Sequence, residues 1–423
     1  MVAVILAGGA GTRMGNLCAE TPKPMVEICG KPILQHQIET LKKEGITDFI
    51  FVVGHLSQVI ESYFADGKNF GVNISYYREA IPLGTGGALT KLNLNEDFLL
   101  CNGDLIFDFS LSKMLDFHKE KNALITAFAH PNSHPYDSDL LETDDNFCVT
   151  QIIPKTNRSK DYANLCNAGI HIVSPFAIPK MSEETKLDFN KDIVSPLVKQ
   201  GKVFAYKSAE YVKDMGTPER LAQVAHDMAE GLVAAKNTSH KQKAIFLDRD
   251  GTINVHKGFI TSADKIELIA GAAQAINKIH SLGYLAVIVT NQPVIARGDC
   301  SEEELKNIHN RLEVLLGKEG AYVDAIYCCP HHPDKGFAGE RAELKFDCDC
   351  RKPKPGMIFN AKKDFNIDLK KSYMVGDSER DIFAAINAGC TAVYIGKEKY
   401  GKNILSFSSL YEFSEHLEDM VKL

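Results

Sequence analysis

Ala244-Ile245-Phe246-Leu247-Asp248-Arg249-Asp250-Gly251-Thr252 decides how the second half of this chain folds. The apolar run reads as a buried strand, and it ends in two carboxylates two positions apart, which an extended backbone sends to the same side. A helix-like stretch at 272–282 follows, then strand-like runs at 285–290, 372–375 and 392–395. Strands alternating with helices at this spacing predict βαβ units and a mostly parallel sheet, with substrates gathered at the C-terminal strand ends.

The first half reads the same way. Strand-like runs at 2–6, 49–53, 98–101 and 123–129 alternate with helix-like stretches such as 33–43. Between the halves, a helical pattern starting at 223 decays into Lys236-Asn237-Thr238-Ser239-His240-Lys241-Gln242-Lys243, which is read as the end of a linker. The expected fold is therefore α/β with two doubly wound domains, 1–222 and 244–423, joined through 223–243.

Composition agrees and narrows the function. At 423 residues and 44% hydrophobic content, the chain is too long for one ordinary core and too apolar for disorder. Lys plus Arg at 48 against Asp plus Glu at 55 gives a net charge of −7, so nucleic acid is excluded as a partner held by a general basic surface. The apolar start at 2–7 runs into Gly8 and Gly9, too short for a signal segment or membrane span, and the reading is cytoplasmic with no membrane partner. Eleven cysteines are too sparse for a disulfide framework, yet Cys328, Cys329, Cys348 and Cys350 crowd together. Cys329-Pro330-His331 and Cys348-Asp349-Cys350 supply three thiolates and an imidazole, enough to close a structural Zn²⁺ shell, with Cys328 and His332 as alternative ligands. Arg351 and Lys352 follow the last ligand directly, so the metal would also fix the reach of these cations.

In the first half, Gly8, Gly9 and Gly11 follow the first strand, with Thr12, Arg13 and then Lys23 close behind. Glycines at such a turn let backbone N–H groups approach phosphates, and the two cations supply charge for a triphosphate. The loop has neither a Walker ending nor the dinucleotide-binding spacing. The pattern of residues 6–14 with Pro22-Lys23-Pro24-Met25 resembles the signature of the sugar-phosphate nucleotidyltransferases. That resemblance continues in Leu83-Gly84-Thr85-Gly86-Gly87, Asn102-Gly103-Asp104, Asn167-Ala168-Gly169 and Asp214-Met215-Gly216-Thr217-Pro218. It implies Mg²⁺ on Asp104 and Asp214, catalytic cations at Arg13 and Lys23, and substrate contacts at Gly8, Gly9, Gly11, Thr12, Gly84, Thr85, Gly86, Asn102, Gly103, Lys155, Asn167 and Gly169. Where members often carry Glu-Lys-Pro, this chain has Pro154-Lys155-Thr156.

In the second half, Asp248 and Asp250, Thr290-Asn291-Gln292, Arg351-Lys352 and Gly376-Asp377-Ser378-Glu379-Arg380-Asp381 resemble the four motifs of the haloacid dehalogenase-like phosphatases. That resemblance implies Asp248 as nucleophile, Asp250 as acid/base, Thr290 and Lys352 as phosphoryl stabilisers, and Mg²⁺ on Asp248, Asp377 and Asp250, the last through its carbonyl. Together with Ala296-Arg297-Gly298, Cys329-Pro330-His331-His332 and Cys350-Arg351-Lys352-Pro353, these motifs are similar to the D-glycero-D-manno-heptose 1,7-bisphosphate 7-phosphatases, with histidinol-phosphate phosphatases as near relatives. Substrate contacts would then fall on His256, Lys257, Gly258, Phe259, Asn291, Gln292, Pro293 and Arg351. Ser378 stands where members can have Lys.

The two resemblances imply consecutive steps: removal of the C7 phosphate, then nucleotidyl transfer, GTP favoured, to the heptose 1-phosphate. Alternatives are a hexose 1-phosphate transferase fused to a phosphatase of other specificity, such as for histidinol phosphate, and one half kept as a non-catalytic module. All the charged residues named are present, which argues against the last. The implied partners are small molecules, nucleoside triphosphate and sugar phosphates; homo-oligomerisation is left open.

Overall fold

The structure, a computed structural model, describes residues 1–9, 20–156, 158–181 and 184–422. It divides into two compact units. One holds Met1–Ala129, Leu141–Ile152 and Asn167–Asn237; the other holds His130–Leu140, Ile153–Cys166 and Thr238–Leu423.

In the first unit, Ala3–Leu6, buried at its first three residues, lies between Asp48–Val53 and Phe98–Asn102, parallel to both. Asn73–Arg78 extends the parallel side, whereas Cys166–Val173 runs antiparallel to Phe98–Asn102 on the other. Nine strands among the described residues make this mixed sheet. Helix Ile33–Lys43 buries Ile33, Leu34, Gln37, Ile38 and Leu41, the spacing of one helical face. Apart from the sheet, Leu105–Asp108 and Tyr211–Asp214 form a two-stranded antiparallel ribbon.

The second unit carries six parallel strands in the order Ala325–Cys329, Tyr284–Asn291, Lys243–Leu247, Tyr373–Gly376, Thr391–Ile395, Leu405–Phe407. Lys243–Leu247 sits inside the sheet, and its apolar side chains are fully buried, each worth roughly 1.5–3 kcal/mol for a residue of Leu or Ile size. Because all neighbours are parallel, the residues after Leu247, Val289 and Val375 emerge at one edge of the sheet.

The stretch read as a linker is structured. Helix Pro218–Ala229 continues into it, capped by the Thr217 side chain, and helix Leu232–Ala235 follows. Asn237 then donates to Asp108 at 2.6 Å, and Asn366 donates to the Thr238 and His240 carbonyls at 3.0 and 3.1 Å. The polar run is anchored by hydrogen bonds, and the compact units divide between Asn237 and Thr238. Among the described residues, no helix is long and apolar enough to cross a membrane.

Candidate active sites

At the end of Ala3–Leu6 the Gly8 backbone lies so close to its surroundings that a Cβ would come 3.1 Å from the Glu79 carboxylate and 3.3 Å from Gly54 N. Gly9 follows, and Gly11, Thr12 and Arg13 lie outside the described residues. In the neighbouring turn, Gly103 N donates to Leu6 O at 2.9 Å, and a Cβ there would come 2.8 Å from the same oxygen. This close approach carries Asp104 past the end of the sheet. Lys23, buried on the turn Lys23–Met25, forms an ion pair with Asp104.

The ribbon brings the second carboxylate alongside. Asp214 pairs in register with Leu105, and Met215 N donates to the Asp104 carbonyl at 2.9 Å. Arg220 holds both Asp214 oxygens at 2.7 and 2.8 Å. The two acidic residues are neighbours through their backbones, each carboxylate is balanced by its own cation, and carboxylate oxygens are the donor type Mg²⁺ takes.

The other contacts implied for this unit fall on ordered turns. Thr85, on the short helix Gly84–Gly87, accepts from Phe189 N at 2.9 Å, and Gly86 N donates to Leu187 O at 2.9 Å. Gly169, at φ +76°, packs against the Asn102 side chain with no room for a Cβ, and its N–H reaches Asn167 Oδ1 at 3.1 Å. Lys155 belongs to the segment Ile153–Cys166 and lies 3.6 Å from Asp137; it is not joined to the Asp104–Asp214 pair by any described contact.

In the second unit a cavity of about 390 Å³ opens at the strand ends. Asp248, Asp250, Thr290, Lys352 and Asp377 line it, together with His256, Gly258, Phe259, Pro293, Arg351 and Ser378. Lys352 Nζ lies 2.8 Å from Asp248 Oδ1 and 2.6 Å from Asp381 Oδ1, all three nearly out of solvent. Burial pushes the Asp248 carboxyl up despite the lysine, while the two carboxylates overcome burial and push Lys352 up. The Asn291 amide clamps the Lys352 backbone from both sides, donating to its carbonyl and accepting from its N–H, each at 3.0 Å.

Asp250 turns the other way. Its carboxylate takes Arg249 at 2.8 Å, Gln292 at 2.9 Å and Asn254 at 2.9 Å; burial alone would raise it, but these partners hold it below the usual carboxylate range. Gln292 also donates to Thr290 Oγ1 at 2.9 Å. The carboxylates of Asp248, Asp377 and Asp381 cluster within 4.8 Å of one another, and the Asp250 carboxylate is not among them, in keeping with the expectation that Asp250 meets the metal through its carbonyl. Burial, then the Asp381 charge, pushes Asp377 up. Gly251, at φ +83°, leaves space for Asp377: a Cβ would collide with its carboxylate. The set fits Mg²⁺.

Cys329, His331, Cys348 and Cys350 also converge. Cys350 Sγ lies 3.1 Å from Cys329 Sγ, 3.3 Å from Cys348 Sγ and 3.3 Å from His331 Nδ1, and Cys329 is 3.5 Å from Cys348. Donation from Cys329 and Cys348 pulls the Cys350 thiol down to about 5, the thiolate character a metal ligand needs. Three sulfurs and one nitrogen at these spacings fit a tetrahedral Zn²⁺. The alternative ligands stay out: Cys328 is paired with Thr290 in the sheet, and His332 Nδ1 accepts from Asp334 N at 3.2 Å.

The nucleotidyl transferase family model matches residues 2–231. The chain belongs to that family. A HAD-hydrolase-like model matches residues 349–417. The D-glycero-beta-D-manno-heptose-1,7-bisphosphate 7-phosphatase of Pasteurella multocida is 44% identical over 147 residues, covering 35% of this chain and 77% of that protein. Its Escherichia coli K12 counterpart is 43% identical over 145 residues, 34% of this chain and 74% of its own. The second half belongs with these phosphatases, so the chain joins a nucleotidyltransferase to a phosphomonoester hydrolase. Among solved structures, HddC from Yersinia pseudotuberculosis complexed with GMP-PN is 24% identical, covers 54% of this chain and 99% of its own, and has a TM-score of 0.46.

The nucleotidyltransferase unit has a site residue that no motif announced. Gln37 is 1% exposed, and its single amide nitrogen donates to the carbonyls of Asn102 at 2.9 Å and Leu105 at 2.8 Å, which bracket Asp104. In the phosphatase unit, Arg249 is fully buried against Asp250, Asp381 accepts both the N–H and hydroxyl of Ser378, and Arg380 lines the cavity. The Ser378 hydroxyl is thereby committed to Asp381, leaving Arg380 as the cation nearest in sequence to Asp377 in that lining.

Lys257 lies off the cavity, 2.6 Å from Glu267.

Proposed function

We propose that this chain is a bifunctional enzyme of nucleotide-sugar synthesis. Its phosphatase half removes the C7 phosphate of D-glycero-D-manno-heptose 1,7-bisphosphate, and its transferase half joins the resulting heptose 1-phosphate to a nucleotidyl group from GTP, releasing pyrophosphate. The observation that carries the reading is the Asp248–Lys352–Asp381 ion cluster at a cavity, in a half whose relatives are named for that bisphosphate.

Asp248 attacks phosphorus and forms a phosphoaspartate while the sugar oxygen departs with a proton from Asp250, which its donors hold as a carboxylate and which must first take that proton up from solvent. Asp250 then takes a proton from the water that attacks the phosphoaspartate, releasing inorganic phosphate and restoring both carboxyls. Lys352, fixed by the Asn291 clamp, and Thr290 hold the phosphoryl oxygens in line. Mg²⁺ held by Asp248, Asp377 and the Asp250 carbonyl would supply further neutralisation of phosphoryl charge. In the transferase half no protein nucleophile is needed: an oxygen of the sugar 1-phosphate attacks the α-phosphorus, and Lys23 with the cations of its loop steadies the departing pyrophosphate. Asp104 and Asp214 would hold Mg²⁺ there, and the four-ligand cluster Zn²⁺.

The relatives carry the β anomer in their name, whereas the preference for GTP rests on resemblance to a branch using the α-1-phosphate. A panel of both anomers of the bisphosphate with each nucleoside triphosphate, followed by phosphate and pyrophosphate release, tests the whole reading. Phosphate release from histidinol phosphate but from neither heptose anomer would overturn the sugar assignment.

A further inference from the structure

Four side chains from distant parts of the phosphatase half stack in a column leading to the cavity wall. Lys345, whose side chain is wholly buried, places Nζ 4.4 Å from the Phe337 ring centroid and donates to Asp334 O at 2.8 Å. On Phe337 also lies the Arg297 guanidinium, 4.2 Å from the centroid, and the same guanidinium is 4.5 Å from the centroid of Phe259. Phe259 is 53% exposed and lines the cavity; Arg297 does not.

The backbone holds this arrangement in place. Arg341 N donates to Ala296 O at 3.0 Å and Ala296 N to Pro330 O at 3.3 Å, so the loop that carries Phe337 lies on the turn that carries Arg297. Gly298, at φ +76°, permits the contact, because a Cβ there would collide with Gly339 O. A cation between two aromatic rings gains from both, and a guanidinium stacks flat where an ammonium does not.

We propose that Arg297 is a positioning residue for substrate discrimination: clamped between Phe337 and Phe259, it holds the Phe259 ring against the cavity so that the ring forms a wall for the carbon chain of a long sugar phosphate. This rests on the phosphatase reading of the site and deepens it. A short alkyl phosphate meets Asp248 and Lys352 without reaching that wall. The column therefore acts on the size of the accepted ester and leaves phosphoryl chemistry alone.

The test compares wild type, Arg297→Met and Arg297→Lys on heptose 1,7-bisphosphate and on ethyl phosphate, each also in a Phe259→Ala background. Arg297→Met keeps the length of the side chain and removes its charge. It should raise KM for the bisphosphate about five- to tenfold with kcat little changed, leave kcat/KM for ethyl phosphate within about twofold, and have no further effect once Phe259 is Ala. Arg297→Lys should recover part of the loss. Equal losses on both esters, or the same loss with Phe259 absent, would show a merely structural residue and overturn the proposal, as would no loss at all. If Arg297→Met does not fold, Arg297→Lys alone decides by the same ratio of the two esters. Should wild type hydrolyse ethyl phosphate but not the bisphosphate, the substrate reading itself fails, a result distinct from every outcome with the variants.

Discussion

The two sites handle phosphorus with similar side chains under opposite conditions. In the phosphatase half Asp248 and Lys352 are sealed in a cavity inside a wholly parallel sheet, with Asn291, Gln292 and Asp381 fixing what touches the phosphoryl group. In the transferase half Asp104 directly precedes, and Asp214 ends, the strands of a two-stranded ribbon outside the main sheet, each with its own cation. A carboxylate that forms a covalent bond to phosphorus benefits from a dry, prearranged setting, because desolvation strengthens every charge around it. Carboxylates that only hold an ion between two polyanions do better near solvent, where those large anions can enter and leave.

The contrast makes each half an internal control for the other. Asp248→Asn should lower phosphate release by more than about 10³-fold and leave pyrophosphate formation unchanged, since it removes the nucleophile itself; a parallel loss would break the separation of the sites. Lys23→Ala should do the reverse, lowering pyrophosphate formation by about 10²–10³-fold with phosphate release intact. Cys350→Ser should cost the protein its bound zinc, read by atomic absorption, and lower the melting temperature of the phosphatase unit by about 5–10 °C, with the transferase transition unmoved.

A fourth comparison concerns acid. Burial pushes His171 in one unit and His309 in the other down to about 3. A histidine whose folded pKa lies below its unfolded value of about 6.5 contributes stability that is whole above that value and is lost as pH falls toward 3. Each should therefore cost about 2 kcal/mol between pH 7 and pH 5, seen as lower melting temperatures, and His171→Phe should flatten the slope of the transferase unit alone. The smallest effect is expected at Gln37. Gln37→Leu should lower pyrophosphate formation and Mn²⁺ affinity of the transferase site by about tenfold, because the carbonyls flanking Asp104 lose their donor. Unchanged Mn²⁺ binding would remove its positioning role.

These sites differ in how far the sequence reveals them. Cys348 with Cys350 is legible because local spacing already puts the two sulfurs together, whereas the same spacing in Asp248 and Asp250 ends with their carboxylates on different partners. Gln37 could not be found that way: on helix Ile33–Lys43 it is one more buried position, and only the fold sets it under the turn at 102–105, far along the chain. Arg249 sits between Asp248 and Asp250 in the sequence, but that adjacency does not show that the fold buries its side chain completely against Asp250. The run 236–243 has no apolar residue to mark an anchor in the sequence, and its anchors are the side chains of Asn237 and Asn366. Likewise, nothing local marks the segments His130–Leu140 and Ile153–Cys166 as belonging with the second unit.

The position of Lys243–Leu247 inside its sheet also governs when the phosphatase comes into being. Its partners arrive from 284–291 on one side and 373–376 on the other. A growing polypeptide on the ribosome thus carries Asp248 for well over a hundred codons before Asp377 exists to meet it, whereas Asp104 and Asp214 are both already made. Premature termination anywhere before residue 376 leaves a hydrolase with half its acids, however well the earlier portion has matured.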